Sequence, residues 1–342
     1  MRIHALAKRI ILQFIHDKRS MALMFIAPIL ILTLLSLVFN SDPLKAKVGL
    51  VKMPKPLGQI LQGDKAIITN FNTVDLAESA LEEGNIHAYL SLDDGKVIVH
   101  LEGSDPTVTQ AVMSWIQESV KGRIQGSLGL KIETDFLHGS KSMNSFDSFG
   151  PVLVGFFAFF FVFLLAGVSF LRERTGGTLE RLICSPLKLW EIVVGYVIGF
   201  GLFTLIQAAI ISAYSIYVLD MMMVGSFFYV LLTTVLLSFT ALTLGILLSA
   251  YANNELQMIQ FIPIVIVPSV FFSGIFNLET MPSFISWIGK ITPLYFAAKA
   301  MRDVMIRGFG FGEIGVYLLI LIGFSALFMG LNILALKKYR KG

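Results

Sequence analysis

The chain has 342 residues, of which 55% are hydrophobic and 15% charged, with 29 phenylalanines. That composition excludes an ordinary soluble domain and points to an integral membrane protein. One cysteine, Cys184, excludes an internal disulfide framework. Five scattered histidines lack ligand spacing for a metal site, and the formal charge of +4 reads as basic membrane flanks, not a nucleic-acid surface.

Residues 1–20 begin as an amphipathic helix. Ile3, Leu6, Ile10 and Phe14 recur at helical spacing opposite His4, Lys8 and Gln13, which suits an elbow lying in the cytoplasmic interface. Ala22 to Phe39 is an uninterrupted apolar run, the core of a first span at 21–40, long enough to cross a ~30 Å hydrocarbon layer. Arg2, Lys8, Arg9, Lys18 and Arg19 precede it, so its N-terminus is placed inside. The run exceeds a signal-peptide core of ~7–15 residues and Asn40-Ser41-Asp42-Pro43 has no small-x-small cleavage pattern, so the span is expected to stay uncleaved.

Residues 41–148 change character: charges become frequent and acids outnumber bases. Lys47–Val51, Ala66–Thr69, His87–Leu92 and Lys96–His100 read as strands, the last two around an Asp93-Asp94-Gly95 turn. Val74–Glu83 and Pro106–Ile124 have helical periodicity, the second opening on Asp105-Pro106. A small extracytoplasmic α/β domain is expected, without a nucleophile–base pair or phosphate loop.

Residues 149–342 hold five more spans, at Phe149–Leu171, Trp190–Leu219, Ser226–Ala250, Gln257–Phe276 and Glu313–Leu336. Six crossings put both termini inside, in agreement with the basic Lys337-Lys338-Tyr339-Arg340-Lys341. Between the second and third spans lies a charged, glycine-hinged segment, residues 172–189. Its bases Arg172, Arg174, Arg181 and Lys188 outnumber Glu173 and Glu180, so it faces the cytoplasm. Thr178 is expected to N-cap a short helix with Glu180 in its first turn, and Ser185-Pro186 to start the next helix.

The fifth span carries Pro263 and Pro268, which bend a helix, and ends on Ser273-Gly274. Residues 281–308 contain apolar stretches broken by Lys290, Pro293, Lys299, Arg302 and Asp303, too much charge for a seventh span. Pro282–Lys290 and Pro293–Ile306 are read as re-entrant helices dipping into the outer leaflet, with Lys299 and Arg302 snorkelling at headgroup level. Gly195, Gly199 and Gly201 sit inside an apolar span, where close packing is expected. The run Phe156–Phe161 fits either a translocation path or packing against lipid or a neighbouring span.

The order of these parts resembles the membrane subunit of an ABC-2-type exporter. Three segments carry the resemblance. Arg172-Glu173-Arg174-Thr175-Gly176-Gly177-Thr178-Leu179-Glu180-Arg181-Leu182 followed by Ser185-Pro186-Leu187 is similar to that family's coupling helix. Phe271-Phe272-Ser273-Gly274-Ile275-Phe276 with Met281-Pro282 resembles the outer end of its fifth span. Ile291-Thr292-Pro293-Leu294-Tyr295 through Ala300-Met301-Arg302 to Gly308 resembles its re-entrant helices. The resemblance implies a multi-pass plasma-membrane permease that pairs with a second permease, identical or related, and with a cytoplasmic ATPase. It would move a lipid-like, drug-like or otherwise amphiphilic molecule outward. ATP and Mg would be bound by that partner, since the chain has no G-x-x-x-x-G-K-[ST] segment.

Three other classes fit the residues less well. An ion-coupled secondary transporter would place ionisable groups inside its spans, whereas these interiors hold neither acids nor bases, and Gln207, Gln257, Gln260 and hydroxyls are among their polar groups. A sensor or assembly protein reading a ligand through residues 41–148 would not need five further spans and re-entrant helices. A membrane enzyme lacks clustered acids, histidines or Ser–His pairs.

Overall fold

The computed structural model describes residues 2–39, 46–51, 66–93, 96–101, 112–116, 145–275 and 289–339. The chain forms two compact units, residues 1–40 with 136–342, and residues 41–135.

The larger unit is helical. Helix α1 (Arg2–His16) is followed after Asp17 by α2 (Lys18–Phe39). With α3 (Val74–Glu82) in the other unit, the helices of this one continue as α4 (Ser145–Thr175), α5 (Thr178–Ile183), α6 (Leu189–Tyr217), α7 (Phe227–Ser249), α8 (Glu255–Val270), α9 (Pro293–Met305) and α10 (Phe311–Tyr339). Among the described residues, six helices are long and apolar enough to cross a membrane: Lys18–Phe39, Phe146–Thr175, Leu189–Tyr217, Phe227–Ser249, Glu255–Gly274 and Phe311–Lys338. The molecule is a multi-pass membrane protein.

Helices α4 and α7 run side by side because glycine lets their backbones meet. A Cβ on Gly245 would stand 2.5 Å from the carbonyl oxygen of Phe163. Phe157, Phe159 and Phe161 are buried inside this bundle while Phe156 and Phe160 are half-buried, so the phenylalanine run packs against neighbouring spans. Hydroxyls and an amide join the helices where no water competes. Thr240 Oγ1 lies 2.8 Å from Ser325 Oγ and donates to the Leu321 carbonyl at 3.2 Å, and Asn332 Nδ2 donates to the Thr243 carbonyl at 2.8 Å. Ser212 bonds Thr234 at 3.2 Å and Thr33 bonds Tyr214 at 2.7 Å, which ties α6 to α7 and α2 to α6.

The amphipathic α1 departs from expectation in what its apolar face covers. Leu6, Ile10 and Phe14 are buried against α6, not against lipid. The groove that admits them is glycine: a Cβ on Gly195 would meet Leu6 Cδ2 at 2.6 Å and one on Gly199 would meet Ile10 Cβ at 2.8 Å. Phe14 then tilts against Phe203 with ring centres 4.5 Å apart. Gly201 does the same service for Phe239 of α7, 2.9 Å from a would-be Cβ. Close packing is thus the use of all three glycines.

The smaller unit holds a four-stranded sheet, β1 (Ala46–Val51), β2 (Ala66–Phe71), β3 (Ala88–Asp93) and β4 (Lys96–Leu101), in the order β2-β1-β3-β4. β1 pairs parallel with β2 and β3, and β3 pairs antiparallel with β4. Alternation sends Val48, Leu50, Ala88 and Leu90 to one face, where Val112 and Trp115 cover them. On the other face Val51 and Tyr89 pack with Ala77 of α3 (Val74–Glu82) and with Ile86. Of the expected Pro106–Ile124 helix, residues 112–116 are described and are helical, while the Asp94-Gly95 turn lies outside the described residues.

Candidate functional site

The charged segment 172–189 joins the end of α4 to the start of α6. Its geometry differs from the sequence expectation in four respects. Helix α4 continues to Thr175, so Arg172, Glu173 and Arg174 project from its last turn and not from a loop. Gly177, at φ 72°, is the N-cap of α5, and Thr178 is the first helical residue with no capping bond. The left-handed turn explains the choice, since glycine adopts it without steric cost. Ser185-Pro186 does not open the next helix; the Ser185 hydroxyl donates back to the Leu182 carbonyl at 2.6 Å. Helix α6 starts instead at Leu189, where the Glu191 carboxylate accepts the Lys188 N–H at 2.7 Å.

The fourth difference concerns which side chains are free. Leu179 is fully buried in the chain's own core and Leu182 and Ile183 are packed against it. Of that apolar face, Leu179 is taken up by the chain's own core, while Leu182 and Ile183 remain half-buried. Glu180, Arg181, Cys184, Pro186 and Lys188 are exposed, along with Gly176. Buried Leu179 keys α5 to the bundle while Glu180 and Arg181 point away.

Four ties fix the hairpin from behind. Arg9 Nη2 is 2.6 Å from Glu173 Oε2, and the Tyr196 hydroxyl donates to the same oxygen at 3.2 Å. Arg172 Nε is 2.7 Å from Glu255 Oε1 at the start of α8, and its Nη1 is 3.8 Å from Asp17. Arg174 donates to the Ala250 carbonyl at 2.6 Å, past the end of α7. Arg2 donates to the Pro186 carbonyl at 2.8 Å. A cavity of about 60 Å³ sits among Gln13, Asp17, Ser169, Arg172, Glu173 and Tyr196. Asp17 itself accepts from the Ser20 hydroxyl at 2.6 Å and the Ser20 N–H at 3.2 Å; these bonds and the Arg172 charge hold its carboxyl below the usual range despite partial burial.

Arg9, Asp17, Tyr196 and Glu255 were not among the residues singled out from sequence. From sequence Arg9 is legible only as a membrane flank, although it stands beside the buried stripe of α1. Glu255 carried a local signal: Asn254 N-caps α8 through Gln257, so an acid in the following turn was due.

The segments expected to form an outer gate come together only in part among the described residues. Helix α8 stays helical through Pro263, which is exposed, and Pro268, which is half-buried. Past Val270 the chain continues through Phe271–Ile275, with Ser273 buried, and kinks at left-handed Gly274 with φ 90°. Pro282 and most of the Pro282–Lys290 helix lie outside the described residues. Pro293 occupies the first turn of α9, where a missing N–H costs nothing. Tyr295 lies under Lys299 Nζ, 4.7 Å from the ring centre. Arg302 Nη2 donates to the Gly274 carbonyl at 3.1 Å, which joins α9 to the end of α8.

Comparison with known proteins agrees with this layout. The model of the ABC-2 family transporter proteins matches residues 18–334. The chain is 24% identical over 370 aligned positions to ABC transporter G family member 20 of Dictyostelium discoideum, covering 98% of this chain and 51% of that protein. It is 26% identical over 158 positions to the probable multidrug ABC transporter permease YbhR of Escherichia coli, 46% of this chain and 43% of that one. The inner membrane transport permease YhhJ of the same organism is 25% identical over 177 positions, 51% of this chain and 47% of its own. The chain spans about half the length of the curated relatives it matches.

Proposed function

Because the chain belongs to the ABC-2 family of transporter proteins, we propose that it is the permease subunit of an ATP-driven exporter of an amphiphilic, drug-like or lipid-like molecule. ATP and Mg are bound by a separate cytoplasmic ATPase, and a second permease, identical or related, completes the path. Residues 41–135 form the extracytoplasmic α/β domain, both termini are cytoplasmic, and α9 belongs to a re-entrant pair that closes the outer end.

The observation that carries this reading is the placement of α5. It projects Glu180 and Arg181 from a hairpin whose base is held by ion pairs and by buried Leu179. A helix mounted this way moves with α4 and α6 as one piece, which is what a lever between an ATPase and a set of spans requires. Charges at the rim of such a contact set orientation and encounter.

Affinity purification of the tagged chain from native membranes, followed by transport assays in vesicles, tests the proposal. The wild type should bring down an ATPase subunit and move an amphiphilic dye in an ATP-dependent way. Glu180→Arg and Arg181→Glu should insert normally yet lose more than tenfold of ATP-dependent transport. Full transport by both variants with the ATPase retained would remove α5 from the coupling role.

A further inference from the structure

Gly274 and Arg302 sit 28 residues apart, on the two segments assigned above to the outer gate. Gly274 lies in the left-handed region at φ 90°, which favours glycine and kinks the chain there, and the preceding residue, Ser273, is 2% exposed. Arg302 Nη2 donates to the Gly274 carbonyl at 3.1 Å, and a Cβ on Gly274 would stand 3.2 Å from Arg302 Nη1. The neighbouring acid, Asp303, is taken by Arg307 at 2.8 Å. Among the described residues, the Arg302 guanidinium therefore meets a single backbone carbonyl and no carboxylate.

The two sides of this contact differ in support. Helix α9 is anchored by Leu294, Ala297, Ala298 and Met301, all buried against the bundle. The end of α8 is broken at Gly274, whose backbone is not helical, so no continuous helix holds this side in place. A cation at a helix C-terminus also complements the free carbonyls there. Such a bond is strong enough to hold a turn. It is also simple enough to release, because breaking it leaves no buried carboxylate behind.

We infer that Arg302 is the latch of the outer gate, a positioning residue that holds the end of α8 against α9 through the Gly274 carbonyl and must let go when the gate opens. The inference rests on the gate reading proposed above and names the contact that controls it. Ser273 is the reporter, since it becomes reachable only when the turn leaves α9.

The test uses Ser273→Cys in a Cys184→Ser background, in membrane fragments open on both faces, with the rate of reaction with a water-soluble maleimide as readout. Arg302→Met should raise that rate about tenfold or more. Arg302→Lys, which keeps one donor and the charge, should fall between it and wild type. Gly274→Ala, which disturbs the same contact from the other side, should also raise it. In the complete complex with an intact latch, the rate should rise on trapping with ATP and vanadate. An unchanged rate in Arg302→Met protein that elutes as a single species, with trapping still unmasking the wild type, overturns the latch and leaves the gate standing. A wild-type complex in which Ser273→Cys is equally unreactive in every nucleotide state overturns the gate reading, and the latch with it.

Discussion

Arg9 reaches Glu173 at 2.6 Å across 164 residues of sequence, and this carboxylate, with its side chain 5% exposed, is one of the few buried acids among the described residues. The contact binds the N-terminal helix to the root of the α4–α5–α6 hairpin. Removing one partner of a buried pair strands the other charge, which costs more than the pair itself contributes. Because Arg9 is 38% exposed the effect is moderated. Glu173→Leu should be tolerated better than Arg9→Leu, since only the latter leaves a buried charge with Tyr196 alone. Arg9→Glu should be the most damaging single change, and combining it with Glu173→Arg should recover part of the loss. Thermal unfolding in detergent, read as a double-mutant cycle, measures this; additive effects would show that the pair does not interact.

The glycines should rank by what a methyl group meets. At Gly195 the obstacle is Leu6 Cδ2, the end of a flexible side chain, and at Gly199 it is the branched Cβ of Ile10. At Gly245 it is the backbone oxygen of Phe163, which cannot turn away. Overpacking costs about 1–3 kcal/mol when neighbours cannot yield. Destabilisation should therefore rise from Gly195→Ala through Gly199→Ala to Gly245→Ala. A scan of melting temperatures for the three variants decides the order.

Asp17 supplies a pH-dependent term. Its carboxyl is held below the ordinary range first by the Ser20 hydroxyl, with the Ser20 N–H and Arg172 adding to this. A depressed carboxyl stabilises the fold fully above its unfolded value, and the stabilisation disappears as pH falls through the lower, folded value. Asp17 also caps α2, and loss of a cap costs about 1 kcal/mol. Asp17→Ala should lose this at neutral pH while Asp17→Asn keeps most of the cap. Both should show a flatter acid limb than wild type when melting is followed from neutral pH downward.

Asn332 should matter more than its single side-chain bond between α7 and α10 suggests. Its amide donates to the Thr243 carbonyl at 2.8 Å and to the Phe328 carbonyl at 2.9 Å while 2% exposed. Interhelical bonds in membranes average roughly 0.6 kcal/mol and reach about 1.7. Asn332→Leu should fall within that range, and Asn332→Asp should exceed it because it removes the donors and introduces a charge. Steric trapping or denaturant unfolding in mixed micelles resolves the difference.

The long apolar runs determined the six spans by themselves, because in a bilayer a backbone must satisfy its own hydrogen bonds and roughly twenty apolar residues leave a helix no alternative. The small-residue spacing of Gly195, Gly199 and Gly201 likewise marked a face of close approach, and the order of the charged and proline-bearing segments pointed to the ABC-2 family. Sequence could not say which charges in Arg172–Arg181 are outward. Helix α4 continues four residues beyond the predicted span, to Thr175, and each residue turns the side chain by about 100°, so Glu173 swings inward beneath α1 while Arg172 stays at the edge. Leu179 was equally ambiguous, since an apolar residue on a short helix fits a partner's groove or its own core. Only the tertiary structure decided both, by bringing Arg9 and Tyr196 to Glu173, the core to Leu179 and Arg302 to Gly274. These are contacts between distant segments, and no local pattern encodes which cation will meet which oxygen once the helices have packed.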